Sequence, residues 1–237
     1  MAYYSRFPKY TSVAERKAKA LKKFKTLKKK GLVLNPVSIE GRVIAKTFWG
    51  KAWCKHLETF QDYDNRLPLG RSCLRAGAVI DLVIQKGLIK GLVVGSSNYT
   101  VTVHIDALPE PKWVSMLAES SGKINSIVAL LQGIFPKEIM EKMTNVQSGL
   151  FPDLQEVNIH CSCPDWSKLC KHAAAVLYAV GNRLDYDPDN LFTLRSVNHL
   201  ELLQTNVLTS FIDQQPSNNL EGDLSSIFNI ELVEQKP

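Results

Sequence analysis

Nowhere does the chain hold a run of about 18 apolar residues, so it offers no helix able to span a bilayer. Residues 1–30 carry charge where a secretory leader carries an apolar stretch. The expectation is a soluble, cytoplasmic protein with no membrane partner. An even disulfide framework is also missing. The cysteines are Cys54, Cys73, Cys161, Cys163 and Cys170, an odd number with three packed into ten positions. That clustering favours a reducing compartment and a bound metal over a disulfide-stapled secreted fold. A G-x-x-x-x-G-K-[ST] phosphate loop is absent, as is the H-x-E with P-C-x-x-C pattern of the zinc deaminases. Neither ATP hydrolysis nor base deamination has its residues here.

Acidic residues are scarce at one end only. Residues 1–30 hold eleven Lys or Arg against the single acid Glu15, whereas the remaining chain holds 18 against 22. The net charge of +6 therefore hides a basic arm on a mildly acidic body. Such an arm binds polyanions by releasing their counterions, which points to Lys22, Lys23, Lys25, Lys28, Lys29 and Lys30 as contacts to nucleic acid, DNA first. The competing account is a solvated helix kept basic for solubility. With 237 residues, 45% of them apolar, the body can bury one large core or two modest ones.

Hydrophobic spacing orders the chain as follows. Residues 13–30 are helix formers, with only Leu21, Phe24 and Leu27 as a thin apolar stripe, so this helix needs a partner to be stable. Residues 38–48 read as a strand and 49–60 as a helix. Residues 78–85, 88–94 and 99–105 read as an antiparallel meander turning at Lys86-Gly87 and Ser96-Ser97-Asn98. Two or three short helices are expected between Pro111 and Met143. Residues 154–160 alternate again, with Val157 and Ile159 on one face and Asn158 and His160 on the other. Residues 171–184 are helical by propensity, with Gly181 placed to relax the last turn. A last helix is expected over 199–211, followed by a polar, acidic tail over 213–237.

The strand and the helix of that C-terminal region converge on one segment, Cys161-Ser-Cys163-Pro-Asp-Trp-Ser-Lys-Leu-Cys170-Lys-His172. Side chains at i and i+2 of a strand share a face, so Cys161 and Cys163 can reach one ion. Pro164 keeps Cys163 extended. Asp165, Trp166 and Ser167 are placed to turn the chain back, with Trp166 expected to pack over the metal. Cys170 then arrives at a helix N-terminus, where free amides and the helix dipole favour a thiolate, and His172 follows on the first turn. Three thiolates and an imidazole fill the tetrahedral shell of Zn2+ and leave no open position, which makes the ion structural. Lys168 and Lys171 are near enough to offset the excess negative charge. His160 faces away on strand parity, and Cys54 and Cys73 are read as small buried apolar residues without chemistry.

This C-x-C-x6-C-x-H pattern, with Pro-Asp-Trp after the second cysteine and an Ala-rich helix after the histidine, resembles the SWIM zinc finger. The stretches VAERKAKA, FWGKAWCKHLE, NRLPLGRS, GLFP, CSCPDWSKLCKHAAAVLYAVGNRLD and LFTLR extend the resemblance over residues 1–200, to bacterial SWIM proteins that accompany Swi/Snf-type helicases. What the resemblance implies is a zinc-binding module for DNA or protein contact, a Swi/Snf-type helicase as partner, and no catalytic residue.

Other candidates have plainer accounts. Arg66 and Arg71, in Asn65-Arg66-Leu67-Pro68-Leu69-Gly70-Arg71, read as a structural loop whose arginines serve intrachain carboxylates, with a bound phosphate as the alternative. Trp49 and Trp53, four apart, read as core in preference to a stacking platform for single strands. Cys54-x-His56 lacks an orienting carboxylate or oxyanion donor. The expected fold is α+β, an antiparallel meander with flanking helices and a C-terminal strand, zinc knuckle and helix. Its expected divisions are an arm at 1–30, an α+β domain at 31–150, a SWIM-type region at 151–204 and a tail at 205–237. The expected role is a non-catalytic, zinc-binding adaptor that touches nucleic acid. Its rival is a pure protein–protein module for the helicase, and an enzyme with an exposed thiolate is the weakest reading.

Overall fold

A computed structural model of the chain describes residues 11–203, apart from 61–64 and positions 122, 125, 135 and 146. The expected tail at 213–237, and most of the helix expected at 199–211, lie outside the described residues.

Strong β-formers and two tight turns build the centre. Strands β1 (Val79–Gln85), β2 (Leu88–Val94) and β3 (Asn98–Ile105) form the expected meander, and β4 (Val157–Cys161) adds to β3, giving an antiparallel sheet in the order β1-β2-β3-β4. Gly87, at φ 63°, makes the first turn possible. One rung of the ladder runs through Leu82, Gly91 and Val101 to Cys161, so the sheet itself sets the position of the first candidate ligand.

Helix α1 (Val13–Lys29) starts at a capping box between Ser12 and Glu15. Helix α2 is Phe48–Leu57, α3 is Leu67–Arg75, and α4 (Glu110–Ser120), α5 (Ile127–Gln132) and α6 (Lys137–Met143) are the three short helices after the meander. Helix α7 (Lys171–Arg183) is buried along nearly its whole length, and α8 (Asn190–Leu194) follows. Close backbone approach seats α7. A Cβ on Gly91 would lie 2.5 Å from Val176, and one on Gly70 of α3 would lie 2.5 Å from Ala174. The Trp49 and Trp53 indoles are fully buried, donating to Leu130 O and Leu177 O, so both belong to the core as the spacing indicated.

Helix α1 finds its partner on the other face of the sheet. Ala20, Phe24 and Leu27 cover Ile80, Leu92 and Val94, while Leu21 is half exposed instead of joining the stripe. The Lys19 ammonium then donates to Gly95 O at 2.6 Å and Ser96 O at 2.9 Å.

Four expectations need correction. Residues 38–48 form no strand. Asn35 and Val37 touch the open edge of β1, but Gly41 takes φ 73° and the Asp185 carboxylate accepts from Lys46 N, Thr47 N and Thr47 Oγ1, drawing the chain off toward α2. Residues 67–75 are a helix, not a loop, because Pro68 fits a first helical turn and Leu67 and Leu74 bury on one side. Gly181 is not a relaxed end but a crossing point, where an added Cβ would lie 2.6 Å from Cys54 Sγ. Residues 154–156 form a 3-10 turn before β4 begins. No described helix is long and apolar enough to cross a membrane.

Candidate metal centre

Strand β4 ends at Cys161, the Ser162 amide continues the ladder to Thr100 O, and Cys163 follows two residues on. The intervening turn is fastened from outside itself. Arg66 pairs with Asp165 Oδ1 at 3.2 Å, and the same oxygen accepts from the Ser167 amide. Cys170 is the N-cap of α7, its sulfur accepting from Ala173 N at 3.4 Å.

Ligand atoms of Cys161, Cys163, Cys170 and His172 all lie within 4.8 Å of one another. His172 Nδ1 is 4.0 Å from Cys170 Sγ. The edge of a tetrahedron with Zn–S bonds of about 2.3 Å is about 3.8 Å, so one ion fits with small side-chain movements. The remaining nitrogen, His172 Nε2, is buried with no hydrogen-bond partner, and the ring is held face to face with Tyr99 at 4.3 Å between centroids.

Electrostatics at the site prepare a thiolate. The Cys170 thiol is held down to about 3, chiefly by a hydrogen bond from Cys161 and then by His172 and the Ala173 amide, against the opposing effect of burial. Cys161, as the donor, is pushed up, and burial raises Cys163. One anion shared among three sulfurs is what a divalent cation displaces protons from, and Cys3His suits Zn2+. Zinc would be held by these four residues and would supply a structural crosslink between β4 and α7.

Strand parity placed His160 correctly, on the exposed face. Trp166 departs from expectation. It is 92% exposed and does not pack over the metal, because Asp165 and Ser167 on either side are both tied inward and the residue between them points out. Lys168 and Lys171 are exposed beside the cluster. Tyr99 and Gly95 were missed in the sequence. A Cβ on Gly95 would lie 2.9 Å from His172 Nε2, yet nothing in the local Gly95-Ser96-Ser97-Asn98 turn signal names a histidine 77 residues on.

The other candidates fall elsewhere. Arg66 and Arg71 both serve intrachain carboxylates, Asp165 and Glu58 respectively, with Arg71 also donating to Tyr178. Burial pushes the Cys54 and Cys73 thiols to about 12 and about 11, so neither is a thiolate at neutral pH. On α1 and its C-cap, Lys22, Lys25, Lys28, Lys29 and Lys30 are exposed and Lys23 is partly covered. Among the described residues none of the six has a carboxylate within ion-pairing distance.

Residues 145–181 match the family model of the SWIM zinc finger, a span that contains all four candidate ligands and most of α7. The chain is also similar to an uncharacterized protein of Mycobacterium tuberculosis, at 32% identity over 163 residues. That alignment covers 68% of this chain and 58% of the relative, so the chain spans less than two thirds of the curated protein it matches. No solved structure matches.

Proposed function

We propose that the chain is a non-catalytic adaptor in which a structural zinc site steadies a scaffold that presents α1 to nucleic acid, duplex DNA in the first instance. The observation that carries this reading is the orientation of α1. Its apolar residues and Lys19 are spent on the sheet, while Lys22, Lys25 and Lys29 point the other way and, among the described residues, have no ion-pairing acid. The four-donor shell supports a structural rather than a reactive ion, since it has no place for water or substrate.

The test is binding of a generic duplex to the zinc-loaded chain across a salt series. Replacing Lys22, Lys25 and Lys29 with Gln is expected to weaken binding uniformly across sequences and to flatten the logarithmic salt slope by roughly 0.9 per lost contact. A flat salt dependence in the unaltered chain overturns the reading.

Trp166 favours a second reading, contact with a protein such as a Swi/Snf-type helicase. An indole this exposed, on a turn held by Arg66 and flanked by metal ligands, has the character of an interface anchor. Helicase retained in a nuclease-treated pull-down by the unaltered chain, and lost with Trp166→Ala, supports that partner. Retention that depends on intact DNA returns the role to α1.

A further inference from the structure

A cavity of about 630 Å³ opens beside the metal centre, between the first turns of α1, α3, the β2–β3 turn and the start of α7. Its wall carries Arg16, Lys19, Lys171 and His172 together with the hydroxyl-bearing Ser72 and Ser96 and, among the described residues, no Asp or Glu. Two of these groups have donors with nothing to donate to. Arg16 Nε is buried without a partner, and so is Nε2 of His172, a residue only 4% exposed.

The His172 donor follows from the metal site. With zinc on Nδ1, the proton of the neutral imidazole would sit on Nε2. Metal-binding histidines ordinarily give that proton to a carboxylate or carbonyl, and among the described residues there is none. Arg16 lies on the flank of α1 that faces this cavity, away from the outward lysines. Lys19 is fixed in place by Gly95 O and Ser96 O. Cys73, on the same wall, feels both Arg16 and Lys171 as cations that oppose the upward effect of burial on its thiol. The charges therefore converge on one volume.

We propose that this cavity binds a phosphate group, with Arg16 and His172 Nε2–H as direct donors and Lys19 and Lys171 supplying positive potential. A tetrahedral oxyanion has enough acceptors to meet donors arriving from α1 and α7 at once, and charge-assisted bonds are the stronger kind. The volume exceeds what phosphate alone requires, leaving room for an attached sugar-sized group. The group could come from a nucleic-acid end or from a free phosphorylated metabolite. This site is separate from the outward lysines of α1, so it stands or falls independently of duplex binding.

The experiment titrates the full zinc-loaded chain with inorganic phosphate by calorimetry, with the His172 side-chain nitrogens followed by NMR. Saturable binding that shifts the Nε2 resonance is expected. Arg16→Ala, on a solvent-bordering helix position where alanine is a better helix former, is expected to weaken binding at least about tenfold. Ser72→Asp, which places a carboxylate among the cations, is expected to abolish it, with zinc content and far-UV circular dichroism retained in both. Competition by a 5′-phosphorylated oligonucleotide assigns the site to nucleic-acid ends, and competition by a sugar phosphate alone assigns it to a metabolite. Either outcome supports the site. Absence of saturable binding, or equal binding in Arg16→Ala, overturns it.

Discussion

The Tyr99 ring from β3 lies stacked on the His172 imidazole from α7, with planes 30° apart, and the Tyr99 hydroxyl is held against Ser96 Oγ at 2.6 Å. The ring of the fourth ligand is thus held from the sheet as well as from its own helix. Tyr99→Ala is expected to weaken zinc affinity by about tenfold or more, the scale seen for groups that orient ligands. Tyr99→Phe, which keeps the ring, should stay near the unaltered value. Competition with a chromophoric chelator measures both, and equal affinity for all three proteins would remove the orienting role.

Stripping the metal should loosen a corner and spare the sheet's far side. Cys161 ends β4 and Cys163 follows it, whereas Cys170 caps α7 and His172 lies on its first turn, so zinc would tie the end of β4 to the start of α7. A chelator, or Cys163→Ser, is expected to lower the thermal midpoint and speed amide exchange over residues 157–175 well before β1 and β2 are affected. Hydrogen exchange read by mass spectrometry checks the order.

Gly181 and Cys54 occupy one space where α7 crosses α2. Gly181→Ala should destabilise by roughly 1–3 kcal/mol through overpacking, even though alanine is the better helix former. The added methyl would meet Cys54 Sγ at 2.6 Å and Trp53 Cδ1 at 3.1 Å. Pairing it with Cys54→Ala should recover most of the loss in urea unfolding. Additive losses in the double variant would place the clash elsewhere.

His56 makes stability depend on pH. Its Nε2 lies 2.8 Å from Pro152 O and its Nδ1 is buried without a partner, and burial holds its pKa below the ordinary histidine value. The unfolded chain therefore binds the proton more readily than the folded one. The resulting stabilisation is present above the unfolded pKa of about 6.5 and is lost as pH falls from there through the lowered folded value. His56→Gln keeps an N–H for Pro152 O and cannot titrate, so the unaltered chain should lose more unfolding free energy than this variant between pH 7 and pH 5. Parallel pH profiles would refute the assignment.

Local signals suffice where a single segment carries the whole pattern. Cys161 and Cys163 share a strand face, Cys170 and His172 share a first helical turn, and Lys86-Gly87 closes a hairpin, each within a dozen residues. Residues 38–48 and 65–71 misled because their local propensities were overruled at a distance. Asp185 captures the backbone at Lys46 and Thr47 from 138 or more residues away, and Ala174 accepts α3 only because Gly70 lacks a side chain.

By itself, then, the amino-acid order determined the meander, the helix after it and the identity of the four metal donors, since period-2 alternation, capping and ligand spacing act over a few residues. Tertiary structure alone decided that α1 turns its lysines outward, that Trp166 stands in solvent, and that Arg16 and His172 border one cavity. Those outcomes depend on which faces become buried against each other, a choice made by elements far apart in the chain and written in no single stretch of it.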